Sequence, residues 1–197
     1  MTDSDTADAP MKVGRGKAKR DRLVAAARKA VHEQGVERTT LAMVAAEADV
    51  PVGNVYYYFK TKDELLSAVL DAYSDDYQML DSILARHRTP KARLKGLIRI
   101  WTSAPERIAL HGCPIGSFCS ELDKRDDAVR DQAAVVLSRL IAVAEDQFAQ
   151  LGRRDAHELA IAMVASWEGI ALIANTLRDP ALLTAEGRRL ERWIDSI

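Results

Sequence analysis

The chain has 197 residues, 48% of them hydrophobic and 29% charged, and a formal net charge of −1. That length fits one or two small domains with ample material for a core, and its longest apolar run, Leu159 to Trp167, is cut by Glu168 and Gly169, too short to cross a bilayer, so a buried helix is expected and a membrane protein is not. The two cysteines, Cys113 and Cys119, argue against a disulfide framework, and no His or Cys pair has zinc-site spacing; no metal and no cofactor are expected, and the compartment reads as cytoplasmic.

In chain order, Met1 to Pro10 is polar and acidic without an apolar h-region, which reads as a disordered tail and neither a signal peptide nor an anchor. Lys12 to Arg22 is basic and contains glycine, so its first part is expected to stay mobile, able to reach along a polyanion or merely to be solvated. Leu23, Val24, Ala27, Ala30 and Val31 form a one-sided stripe that predicts a first helix from about Lys19 to Gln34, closed by Gly35 as a C′ residue.

The most informative stretch is Thr40 to Leu65. Thr40 stands as an N-cap before Leu41, Val44 and Ala45 at i, i+3, i+4, and Ala48-Asp49-Val50 ends the run just before Pro51, which suits the first turn of a new helix. That second helix has room for two turns and holds Val52, Gly53, Asn54, Tyr56, Tyr57 and Tyr58. Two short helices joined by a tight turn read as a helix-turn-helix. From Lys12 to Lys62 there are eleven Lys or Arg against five Asp or Glu, a balance of +6, while residues 63 to 197 carry seventeen against twenty-one, a balance of −4. A basic end beside a two-helix reading motif is the electrostatic footprint of a DNA-binding module.

These residues resemble the TetR-type transcriptional repressors, whose N-terminal module ends in a pattern similar to Gly53-x-Val55-Tyr56-x-x-Phe59-x-x-Lys62-x-x-Leu65; the likeness covers about Arg20 to Leu70 and includes Gly35, Thr39-Thr40 and Ala48-Asp49-Val50. Beyond that stretch it extends only to length and helical content. Many members carry His where Tyr58 stands. The resemblance implies that Thr40, Tyr56 and Lys62 contact phosphates and that Asn54 and Tyr57 face bases, chemistry that suits a hydroxyl, a phenol and an ammonium near helix N-termini. The spacing itself puts Val52, Asn54, Tyr56 and Tyr57 on the exposed face, turns Val55 and Phe59 inward, and leaves Gly53 free to allow close approach.

From Lys62 to about Arg86, Leu66, Val69, Leu70, Tyr73, Tyr77, Leu80 and Leu84 recur at helical spacing, and the basic character fades near Ala68 to Tyr73, where the boundary is placed. The expected organisation is a tail over 1–18, a helix-turn-helix domain over 19–68 and an effector-binding and dimerisation domain over 69–197. Pro90 restarts a helix with Leu94, Leu97, Ile98 and Trp101 that ends around Pro105; a second break at Gly112 and Pro114 precedes an apolar segment, Cys113 to Leu122. Arg125 to Leu151, Asp155 to Leu177 and Pro180 to Ile197 supply long helices, the first closed by Gly152. With no strand pattern and no repeat, the fold class is all-α with about nine helices.

One such module buries too little surface for tight, specific binding, which a two-fold dimer remedies. The C-terminal helix pair is the expected interface, with burial inside one subunit as the alternative: Ala160, Ala162, Ala165, Gly169, Ala171 and Ala174 permit close approach, while Met163, Trp167 and Ile170 and the stripe Leu183, Leu190, Trp193 and Ile197 supply contact area. A small-molecule pocket that switches the repressor would be walled by Trp101, Ile108, Phe118, Met163, Trp167 and Ile170 with His111, Cys113, Ser117 and Glu168 as polar groups; each of these is otherwise ordinary core. Glu168 needs an intrahelical or cross-dimer partner such as Arg178, and Cys113 is either a buried structural thiol or an electrophile sensor with His111 beside it. An enzyme built on His111, Cys113 and Glu121 finds no supporting elbow, glycine cradle or metal pattern, so the alternative is an architectural DNA binder without an effector. The junction His111 to Gly116 is the expected moving part.

Overall fold

The computed structural model describes residues 9–125 and 127–197. Among the described residues there are ten α-helices and no strand, divided into two compact units that meet between Val69 and Leu70 in sequence. The count agrees with the expected all-α fold of about nine helices; the stretch between the two predicted breaks is itself a short helix, started by a proline at its first turn, where a missing N–H costs nothing.

In the first unit, α1 (Ala9–Gln34) begins ten residues before the expected Lys19. Ala, Met, Lys and Arg are good helix formers, and together they outweigh Gly14 and Gly16, each worth about 1 kcal/mol against a helix. Residues 1–8 of the expected tail lie outside the described residues, and 9–18 are helical rather than disordered. Gly35 closes α1 at φ 86, its N–H donating to the Val31 carbonyl at 2.9 Å.

Next come α2 (Leu41–Glu47) and α3 (Val52–Tyr58), and then α4 (Lys62–Leu84), inside which the boundary between the units falls. Leu23, Ala27, Val44, Val55, Phe59 and Leu66 are buried and make the core that α1, α2 and α3 share with the start of α4.

The second unit holds the remainder of α4 with α5 (Pro90–Trp101), α6 (Pro105–His111), α7 (Pro114–Leu122), α8 (Ala128–Gln150), α9 (Ala156–Leu177) and α10 (Pro180–Ser196). Thr89, Asp127 and Asp179 cap α5, α8 and α10 through their side-chain oxygens. The centre of the unit is α9, against which α6, α8 and α10 pack. Its Ala160, Met163, Trp167, Ala171 and Ala174 are buried on one side. Ile161, Ala165, Gly169, Leu172 and Thr176 follow at three- and four-residue spacing on the opposite side, all exposed.

By length and composition α9 is apolar enough to cross a membrane, with a mean hydropathy of 1.5 in its most apolar window, only 33% of which is buried. The sequence expectation of a run too short for this stops at Glu168, yet the apolar residues resume beyond it. Glu168 is held in the unit by a neighbouring side chain, so the helix continues as a core helix with one bare face.

Candidate nucleic-acid interface and a polar cluster in the helical core

The first unit is assembled around its turns. Buried Thr39 donates its hydroxyl to the Gly35 carbonyl at 2.8 Å, tying the loop to the end of α1. Thr40 then caps α2, its Oγ1 accepting from the Met43 N–H at 3.2 Å. Ala48 ends α2, Asp49 takes a left-handed conformation at φ 51, and the Val50 N–H reaches back to the Ala45 carbonyl at 3.0 Å, so the chain reverses within three residues. At the start of α4, Thr61 accepts from the Glu64 N–H and the Glu64 carboxylate accepts from the Lys60 N–H at 2.7 Å, a reciprocal arrangement written in Thr61-x-x-Glu64.

This frame leaves Val52, Gly53, Asn54, Tyr56 and Tyr57 together on the outer face of α3, with Tyr57 83% exposed. Val55 and Phe59 point inward and are buried, and the Arg20 guanidinium lies 5.3 Å from the Phe59 ring centroid. No heavy atom would come within 4 Å of a Cβ at Gly53, so the backbone there is open to close approach from outside. Tyr58 is half-buried, in edge contact with Tyr57 and close to Gly16 of α1. Thr40 is exposed but its oxygen is occupied by the cap, and Lys62 Nζ donates to the Glu37 carbonyl at 3.1 Å.

In the second unit Ile108, Cys113 and Trp167 belong to one buried cluster with Trp101 and Ile170 packed against it, and the Trp101 and Trp167 rings stack at 5.5 Å. Phe118 lies apart from that cluster, 6.4 Å from Tyr73, and Met163 is fully buried elsewhere along α9. His111 is half-buried at the end of α6.

Within one subunit Glu168 is not paired with Arg178. The Cys113 thiol donates to Glu168 Oε1 at 3.2 Å, while the Arg178 guanidinium donates to the Ala109 and Leu110 carbonyls and Asn175 Nδ2 to Ala109 O at 3.1 Å. The end of α9 thus caps the last turn of α6, because Arg178 sits in a left-handed C-cap at φ 56 that swings its side chain toward those carbonyls. The chain then turns at Gly112, φ 84 and ψ 179, a conformation essentially reserved for glycine, where a Cβ would also strike Ser117 Oγ.

Burial, and then the neighbouring Glu168 charge, push the Cys113 thiol well above its ordinary range, and burial lifts Cys119 to about 11. That direction opposes a thiolate supported by His111; Cys113 is the N-cap of α7, accepting from the Gly116 N–H at 3.5 Å. Burial also raises the Glu168 carboxyl, which the Cys113 hydrogen bond partly offsets.

Sequence reasoning passed over Tyr77, counted as one more stripe residue of α4. Its hydroxyl is the single buried side-chain polar atom without a hydrogen-bond partner among the described residues, and Cys113, Glu168, Cys119 and Tyr73 all act on it electrostatically. A tyrosine inside a leucine stripe was the available signal, since a buried phenol normally finds a partner.

Comparison with known proteins adds an independent line. Residues 23–69 match the family model described as bacterial regulatory proteins, tetR family, and residues 90–189 match that of the tetracyclin repressor-like C-terminal domain. The chain is 29% identical over 190 residues to the HTH-type transcriptional regulator TtgR of Pseudomonas putida, covering 90% of this chain and 88% of that one. A TetR transcriptional regulator of Chloroflexus aurantiacus superposes with a TM-score of 0.79 at 24% identity, over 92% of this chain and 96% of its own. FadR of Bacillus subtilis, solved in complex with stearoyl-CoA, does so with a TM-score of 0.69 at 16% identity, over 88% and 96%.

Proposed function

The chain belongs to the TetR family of bacterial regulatory proteins, DNA-binding transcriptional regulators, and from that premise we propose that it is a cytoplasmic repressor that holds a palindromic operator as a homodimer and lets go when a small, largely apolar effector enters the second unit. The observation that carries the DNA half is the outer face of α3: Asn54, Tyr56 and Tyr57 exposed in a row on a helix whose Val55 and Phe59 are locked inward. Rigid backing and a polar outer face are what a major-groove helix requires. Thr40 and Lys62 flank it as phosphate contacts, Lys62 exchanging the Glu37 carbonyl for a phosphate oxygen.

The dimer half rests on the bare face of α9. Met163, Leu183 and Leu190 are fully buried within one subunit, and half-buried Trp193 sets its ring at a tilt against Phe148, centroids 5.8 Å apart, so these side chains support the fold of the subunit. Ile161, Ala165, Gly169 and Leu172 take the interface role, with small residues in the middle and aliphatic ones beside them, which suits helix against helix.

The experiment is to select duplexes from a random pool with the full-length protein. Two-fold symmetric sequences bound by a dimer, with affinity falling steeply as salt rises, are expected. Asymmetric or sequence-indifferent binding that no small molecule reverses would establish the architectural alternative.

A further inference from the structure

Two groups in the second unit are chemically incomplete, and they lie together. Among the described residues, Glu168, half-buried and next in sequence to the stacked Trp167, has the Cys113 thiol, a weak donor, as its one hydrogen-bond partner, and no cation acts on its carboxyl. Arg178, the nearby candidate on the same helix, is committed to α6 carbonyls. The Tyr77 hydroxyl, on a side chain 9% exposed, is buried without a partner and under the electrostatic influence of Glu168.

The site is also shaped for the acid. A Cβ built on Gly116 would fall on the Glu168 carboxylate, so the absence of a side chain at 116 is what seats the carboxylate there. A carboxylate taken out of water without a strong partner is costly, as is an unsatisfied phenol, and both costs disappear if a ligand supplies the missing groups. In the cluster that holds Cys113, half-buried Trp101 lies stacked on buried Trp167 and provides an aromatic surface for an aromatic body or a cation.

We infer that the effector of the second unit is an aromatic-bodied amine, its ammonium donating to Glu168 and an acceptor on its body receiving the Tyr77 hydroxyl. This deepens the effector-responsive reading above and rests on it. A neutral apolar molecule leaves the carboxylate desolvated and unpaired, and an anion is repelled by it; a cation pairs with it and offsets the burial that otherwise raises the carboxyl.

Calorimetry on the full-length dimer tests this with 1-naphthylmethylamine, protonated at neutral pH, and the neutral 1-naphthylmethanol. The parent is expected to prefer the amine by roughly ten- to a hundredfold, the range of a hydrogen bond to a charged group. Glu168→Gln, nearly isosteric, should bring the two probes to about equal affinity. Gly116→Ala keeps the acid but displaces it, and only the flexible end of Glu168 has to move, so the fold survives while the preference for the amine falls severalfold. Equal binding of both probes by the parent, binding of neither, or a preference that persists in Glu168→Gln overturns the assignment. Calorimetry needs no DNA, so failure here is distinct from failure of the operator reading, which shows as the absence of a symmetric selected duplex.

Discussion

Helices α3 and α9 both show apolar carbon to solvent, and they do it in opposite ways. On α3 the exposed carbon comes with hydrogen-bonding ends: Tyr56 and Tyr57 carry free-standing phenols beside the Asn54 amide, in the unit that has the excess of basic residues. On α9 the exposed row is aliphatic or small, and its one hydroxyl, Thr176 Oγ1, is already donated to the Leu172 carbonyl at 2.9 Å. The first face can meet a polar, charged partner without stranding any group. The second can gain only by being covered with more carbon, which under the dimer reading a copy of itself supplies. Exposed apolar area therefore says little until the polar atoms around it are accounted for.

The sharpest way to break this contrast is to remove the backing of α3. Phe59→Ala opens a cavity beneath the recognition face and should cost about 3–5 kcal/mol, melting the first unit and abolishing DNA binding while the dimer, read by sedimentation, is untouched. Dimer loss in that variant would mean that the interface depends on the first unit. Next in size, Leu172→Arg places a charge on the bare face of α9, where the residue is 68% exposed and the fold tolerates it. Its dimer dissociation constant should rise at least about a hundredfold, ~3 kcal/mol, with an unchanged helical signal. Parent-like dimers at micromolar concentration would put the interface elsewhere.

Smaller effects sharpen the α3 side. Tyr57→Ala should cost about 1–3 kcal/mol on the preferred operator and much less on random duplex, so the ratio of the two affinities is what to measure. An unchanged ratio removes Tyr57 from base reading. Lys62→Ala should weaken all sequences alike and lower the slope of log affinity against log salt by about 1; an unaltered slope would leave Lys62 as a strut for the Glu37 carbonyl.

The helix-turn-helix was legible because every signal in it is local. Thr40, Asp49 and Pro51 act on their own next few residues, and Val55 and Phe59 lie within two turns of the side chains they back. The second unit was legible as helices and misread as faces. Met163 and Leu172 are nine positions apart on one apolar helix, and nothing in their types says which meets α8 and which meets solvent. The Glu168 partner was misplaced for the same reason: Arg178 is ten residues away along the chain, yet a left-handed cap turns it to α6, and the group that reaches Glu168 is Cys113, 55 positions earlier. Pairings between distant elements are set by packing, which composition and periodicity do not encode.

The bare face of α9 also bears on how much of this regulator a cell must hold. If that face pairs with a second copy as proposed, a protomer diluted below its dimerisation constant keeps it wet and loses whatever free energy the pairing contributes, so resistance to unfolding and to proteases would rise with concentration. Under the dimer reading, scarce protein is doubly weakened as an operator ligand: fewer copies are present, and a smaller share of them survives as the pair that binds. Occupancy of the operator then climbs more steeply than expression does, which gives the circuit a threshold without any cooperativity between operators.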